Sequence, residues 1–324
     1  MAYRMKAPGV PSDSILYYKP DAGGNVVFGL LYEAVALLLF ANLVNHRDWW
    51  ALCLPIGAAL QGAGFFLRLP LANEPQSLPL YLPMDIFIVL APACYFAFNY
   101  IWFGRLVQRL EQHVRLPRKR AHLTFLPPQK FGLIFIISDV TTFLVQAAGG
   151  GMQVKINLQS AGSTVFLIGI IAQFASYVFF LALAVPVVQF ARRNDSVDGT
   201  QRVKLRALLL VLAFSSVWII VRSVYRTIEL AQGYNGSIST KESWFFGLDS
   251  APLLLAIGVY IFYWPSSLVE LQDAMQKRVR PPMRTVPWDM SHGQRYAWMA
   301  EKCELPLTND PSPDELRTAF TQRA

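Results

Sequence analysis

The chain has 324 residues, 54% of them hydrophobic and 15% charged, with a formal net charge of +8. Soluble domains carry about 25% charged residues, so this composition excludes an ordinary water-soluble domain and points to lipid as the solvent. The Lys and Arg residues lie between apolar runs, a placement that suits membrane orientation and anionic headgroups at the inner leaflet and gives no case for nucleic acid.

Residues 1–25 are polar with no apolar core, and they read as an extracellular N-terminal segment and not as a cleaved signal peptide. Apolar runs then occupy about 26–44, 49–67, 81–103, 131–147, 162–190, 207–230 and 245–264. Each is near the ~20 residues needed to cross ~30 Å of hydrocarbon. Residues 26–264 therefore predict an all-α, seven-transmembrane-helix bundle. The fourth run is short and carries Asp139, whereas the fifth is long enough to tilt. Pro55, Pro92, Pro186 and Pro252 predict kinks. Gly149-Gly150-Gly151 predicts a flexible exit from the fourth helix, and Trp49, Trp50, Tyr81, Trp244 and Trp264 an interfacial belt. Residues 265–324 read as a cytosolic tail that begins with a short amphipathic helix or a partly ordered stub and is disordered from about 304.

Orientation follows from the loops. The stretches after the third and fifth runs hold twelve Lys and Arg residues, from Arg105 to Lys130 and from Arg192 to Arg206, against two, Lys155 and Lys241, after the fourth and sixth. This predicts the N-terminus outside and the C-terminus in the cytosol. The sequon at Asn235 falls in a predicted external loop and that at Asn194 in an internal one, so sequons decide nothing. Cys53, Cys94 and Cys303 give no disulfide or metal framework.

A charge near the bilayer centre costs at least about 2.5–3.5 kcal/mol, so each one needs a reason. With this topology Glu33, Gln61, Arg68, Asp85, Arg222, Arg226, Glu229, Glu242 and Asp249 fall in the outer half, with Asp139 mid-span and Gln146 further out on its face. Spacings of i, i+4 and i+7 put Arg222, Arg226 and Glu229 on one stripe, which has to face protein or water. Two readings stand side by side: a salt-bridge network that fixes helix packing, and a polar cavity open to the outside that also uses the network.

Several classes are excluded. All four histidines, His46, His113, His122 and His292, lie in loops or tail, which argues against an intramembrane zinc hydrolase. The seventh run has no Lys for retinal, and the Cys pair and acidic-Arg-aromatic triplet of rhodopsin-like receptors are absent. No nucleotide-binding domain is visible, and no nucleophile accompanies Asp139, so the chain reads as a non-enzyme with no cofactor.

Asp139 followed by Gln146-Ala147-Ala148-Gly149-Gly150-Gly151 resembles the signature of the fungal RTA-like proteins, the lipid-translocating exporter family. Arg222-Ser223-Val224-Tyr225-Arg226-Thr227-Ile228-Glu229, then Gly233, Glu242 and Asp249, resemble it too, as do Tyr18, Pro20 and Asn25 and the stretch from Ala91-Pro92 to Tyr95. The basic loop 105–130 is longer than that pattern. The resemblance implies a fungal plasma-membrane protein linked to release of sphingoid long-chain bases, resistance to toxic lipophiles or porphyrin handling. The expected function is a translocator of a lipid-like amphiphile, with a ligand site among Glu33, Asp85, Asp139, Gln146, Arg222, Arg226, Glu229, Glu242 and Asp249. Five acids against three Arg in the outer half lean toward a cationic ligand. The alternative is a seven-helix receptor or stress sensor for a lipophilic ligand, signalling through the basic internal loops and tail.

Overall fold

The computed structural model describes residues 20–113, 128–153, 156–193, 199–232 and 242–265. Residues 1–19 of the N-terminal segment, most of the basic loop after the third helix, both sequons and the tail with its expected amphipathic helix lie outside the described residues, and the first helix starts at Ala22, inside the segment expected to end at 25. The described residues are helical almost throughout and contain no strand. Seven helices are long and apolar enough to cross a membrane. They are α1 (Ala22–His46), α2 (Cys53–Asn73), α3 (Leu78–His113), α4 (Pro128–Gln153), α5 (Gln159–Arg193), α6 (Gly199–Ala231) and α7 (Glu242–Phe262). Short 3₁₀ turns precede α2 (Trp49–Ala51) and α5 (Ile156–Leu158).

The arrangement follows from lipid as solvent. A backbone in hydrocarbon has to satisfy its own polar groups, which each helix does within itself. Side chains such as Leu37, Ile168, Leu210 and Phe262 point outward, where water would penalise them and acyl chains do not. Each helix packs on the next in sequence, and contacts between α1 and α7 close the ring. α3 is the most enclosed helix, with 61% of its apolar window buried. Tyr95, Phe96, Phe98, Tyr100 and Phe103 on α3 are all essentially inaccessible. At one end, Asp21 caps α1 by accepting from the Gly24 amide at 2.6 Å.

Three expectations change. The triple glycine is not a helix exit, because α4 runs through it to Gln153. A Cβ on Gly149 would sit 2.5 Å from the Phe166 backbone nitrogen, and one on Gly162 would sit 2.8 Å from the Gly149 carbonyl oxygen. These glycines let α4 and α5 touch backbone to backbone, the small-residue contact typical of helices in lipid. Pro55 cannot kink α2, since it lies in the first turn, where no intrahelical partner is lost. Trp264 is not a belt residue: it is 2% exposed and its indole donates to Asp48 at 2.7 Å, beside Trp50, which donates to the other carboxylate oxygen at 2.8 Å. Trp49 and Trp244 stay exposed, as a belt requires.

Replacing Gly149 with Ala should lower the thermal midpoint of the detergent-solubilised protein, since overpacking costs about 1–3 kcal/mol. A Cβ on Gly151 meets open space, so Gly151→Ala should leave the midpoint unchanged or raise it. Thermal unfolding followed by size-exclusion elution checks the contrast. Equal effects at the two positions would remove the packing role.

Candidate functional site

The sixth helix sets the site. Arg222 and Arg226 are one turn apart, so their guanidinium groups reach the same point on the neighbouring helix. That point is Asp249, a residue with no exposed surface. Arg222 Nε donates to Asp249 Oδ1 at 3.0 Å, and Arg226 bonds both carboxylate oxygens, Nε to Oδ1 at 2.6 Å and a terminal nitrogen to Oδ2 at 3.1 Å. Arg226 also reaches Glu229 at 3.2 Å, whose other oxygen accepts from Tyr225 at 3.4 Å.

Asp249 gets there through a local departure from α-geometry. Residues Phe245–Ser250 form a π-helical turn inside α7. One inserted residue rotates everything before it by about 100° relative to a regular helix. The wide turn is held from both sides: the Ser250 hydroxyl donates to the Phe245 carbonyl at 3.3 Å, and the Tyr32 hydroxyl of α1 donates to the Ser250 carbonyl at 2.6 Å.

A second charge pair extends the cluster toward the first two helices. Arg68 of α2, 3% exposed, donates to Glu242 at 2.8 Å. Glu242 also accepts from the Asn25 amide at 2.9 Å and from the Asp21 backbone N–H at 2.6 Å. The Arg68 and Arg226 guanidinium groups lie 4.3 and 5.2 Å from the centroid of the buried Phe245 ring, close enough for cation–π attraction. Phe28, Phe65 and Phe246 stack around it as an aromatic wall.

Asp85 of α3 differs from the other acids here. It is half-buried, faces Arg226 and lies against Gly150 of α4, where a Cβ would be 3.4 Å from Oδ2. It makes no hydrogen bond and no ion pair among the described residues. Gln61 and Tyr95, deeper between α2 and α3, also carry buried polar atoms without partners: both amide atoms of Gln61 and the Tyr95 hydroxyl.

Of the nine residues expected from sequence, six therefore gather at one end of the bundle: Asp85, Arg222, Arg226, Glu229, Glu242 and Asp249. Three stand apart. Glu33 lies half-exposed on the α1–α2 flank over Gly62, where any Cβ would be 2.6 Å from its Oε1. Gln146 is buried and donates to Gln173 of α5 at 2.9 Å. Asp139 is 3% exposed and faces the hydroxyls of Tyr100 and Ser176, away from any arginine of the cluster. The sequence reading left out Phe245 and Tyr32, and it noted Asn25 as part of the family resemblance without a role in the site. No local signal marks Phe245 and Tyr32, because their roles depend on the π-helical turn.

Residues 54–272 match the family described as RTA1 like protein. Protein RTM1 of Saccharomyces cerevisiae is 31% identical over 209 residues, covering 63% of this chain and 64% of that protein. The chain thus spans a little under two thirds of the length of RTM1. Protein RTA1 of the same yeast is 27% identical over 273 residues, 76% of this chain and 84% of that protein. A yeast protein named sphingoid long-chain base transporter RSB1 is 22% identical over 283 residues, 76% of this chain and 72% of its own. No solved structure matches the chain.

The cluster makes a graded prediction. Asp249→Asn leaves the buried Arg222 without its counter-charge and Arg226 with Glu229 alone, and should destabilise the protein by about 3–5 kcal/mol. Glu229→Gln should cost clearly less, because Arg226 keeps both bonds to Asp249. Thermal unfolding of the two variants in detergent measures the order, and a reversed order would contradict the clamp.

Proposed function

The chain belongs to the RTA1-like family, and from that membership and the charged cluster we propose that it moves a lipid-like amphiphile with a cationic head across the membrane. The similarity to a protein named as a sphingoid long-chain base transporter supports the lipid class. Such a base joins an amine head to one long hydrocarbon tail, and the chain offers a partner for each part. Outward-facing apolar helix surfaces suit the tail. The head needs an acid that is not already neutralised.

The observation that carries this reading is the inequality among the four acids of the cluster. Asp249 is closed by two arginines, Glu242 by Arg68, Asn25 and the Asp21 amide, and Glu229 by Arg226 and Tyr225. Asp85 alone has a carboxylate to spare, at the mouth of the cluster. The arginines prop the site open and give the acids their fixed positions. Arg226 repels an amine until Asp85 attracts it, so binding there is weak enough to be reversible. Gln61 and Tyr95 supply unpaired donors and acceptors deeper in, where hydroxyls of the head could be met. With the N-terminus outside, as the loop charges predict, the cluster opens on the outer leaflet and the movement is export from the plasma membrane.

Cells preloaded with a labelled sphingoid base test the proposal by release rate at matched surface level. A charge-assisted bond contributes about 1.5–3 kcal/mol, so Asp85→Asn should slow release about ten-fold or more. The N-acetylated base, which has no charge, should not be released faster than from cells lacking the protein. Release by Asp85→Asn at the wild-type rate would sink the cationic-head reading. A wild type that does not accelerate release at all would end the transport reading, leaving a receptor for a lipophilic ligand to be tested.

A further inference from the structure

A second unpaired acid lies at a different depth, in surroundings of its own. Asp139 sits seven residues, or about 10 Å, along α4 from Gly132, the start of its apolar window. It is eleven residues, or about 16 Å, from Gly150, which abuts Asp85. Its side chain is enclosed, and neither carboxylate oxygen has a hydrogen-bond partner. The Tyr100 hydroxyl that faces it has none either.

Among the described residues the facing groups are few and none is cationic. α3 presents Tyr100, α5 presents Ser176 and, one residue on, Tyr177, whose hydroxyl is already bonded to Asn99 and Ser216. Ser176 is itself paired with Ser138 of α4 at 3.3 Å. A carboxylate enclosed at this depth, faced by two hydroxyls but by no cation, is costly as an anion and less costly as a neutral acid. The site suits a ligand that both neutralises the group and leaves no bulk, which is a proton.

The position also has a mechanical consequence. Tyr100 and Ser176 adjoin Asn99 and Tyr177, and these hold four helices together: the Tyr260 hydroxyl of α7 donates to Asn99 at 2.8 Å, Asn99 to Tyr177 at 3.0 Å, and Tyr177 to Ser216 of α6 at 2.9 Å. α6 and α7 carry Arg222, Arg226 and Asp249. Water reaching an ionised Asp139 would draw Tyr100 and Ser176 toward it, and that shift acts on the helices that form the distant cluster.

We propose that Asp139 is a proton-exchange site, separate from the charged cluster, whose protonation and release drive the movement of the amphiphile. The step is O–H bond formation on one carboxylate oxygen with a proton from water on one side, and O–H cleavage that returns it to water on the other. The coupling half of this proposal rests on the transport reading above; the proton exchange itself does not.

The test uses the purified full chain, reconstituted in lipid vesicles, with two readouts. The first is infrared difference spectroscopy on changing pH. Wild type should show a carboxylic-acid carbonyl band that appears and disappears, and Asp139→Asn should lose it. The second is movement of a trimethylated sphingoid base, whose own charge does not titrate, under an imposed pH gradient. One proton exchanged for one amphiphile predicts up to about ten-fold accumulation per pH unit in wild type and in Asp139→Glu, and none in Asp139→Asn. Tyr100→Phe keeps the carboxyl and removes the facing hydroxyl; it should retain the band and shift the pH at which it changes, which decides the matter if Asp139→Asn does not fold. A band that never responds to pH, or that persists in Asp139→Asn, overturns the site. A normal gradient response in Asp139→Asn overturns the coupling. A wild type that moves no amphiphile removes the transport reading and the coupling together, while the infrared result still rules on proton exchange.

Discussion

Two guanidinium groups from adjacent turns of α6 converge on one carboxylate of α7, and nearly everything else at that end of the bundle is arranged around them. A fully buried Asp249 would be untenable in hydrocarbon without its counter-charges, and Arg222, itself enclosed, would be untenable without Asp249. The interaction therefore fixes the register of α6 against α7. It also holds the π-helical turn, because a regular α-helix would carry Phe245 and the residues before it to another face. Tyr32 and Arg68 then brace the same turn from α1 and α2, which closes the ring of helices with polar bonds where lipid gives no hydrophobic drive to association.

The acids of the cluster, together with Asp139, fall into two kinds once this clamp is in place. Asp249, Glu242 and Glu229 each already hold a cationic partner. Asp85 and Asp139 have no such partner among the described residues, and they sit at different levels, about 16 Å apart along α4. Both adjoin α4 and α3, the most enclosed helix. The proposed site for a charged head at one level and the proposed proton site at another would let the occupancy of one depend on the state of the other. Glu33, half-exposed on the α1–α2 flank over Gly62, belongs to neither level.

Much of this was legible in the sequence. Seven apolar runs identified seven helices because lipid demands uniform apolarity over a fixed length, a signal that survives without knowledge of packing. The stripe of Arg222, Arg226 and Glu229 was readable for the same reason, since charge at that depth has to be turned inward. What the sequence could not show was which acid each arginine takes. That depends on a π-helical turn in α7, and a single inserted residue leaves no trace in a helix apolar nearly all round. Gly149-Gly150-Gly151 misled in an instructive way: glycine ends helices in water, where freed backbone groups find new partners, but in hydrocarbon the helix continues and Gly149 serves close packing. Asp139 and Gln146 do share a face of α4, yet they meet different partners, because neighbouring α3 and α5 present different residues along their length.

The central claim is that an amphiphile's head is received at the mouth of the arginine-clamped cluster. A photoreactive, clickable sphingoid base bound to the purified protein, followed by mass spectrometry of the crosslinked peptides, tests it without relying on any transport assay. The account predicts crosslinks, competed away by unlabelled base, on the α3 segment around Asp85 and on the facing turns of α6 and α7. Crosslinks confined to the α1–α2 flank beside Glu33, or spread over the outer helix surfaces without competition, would contradict it.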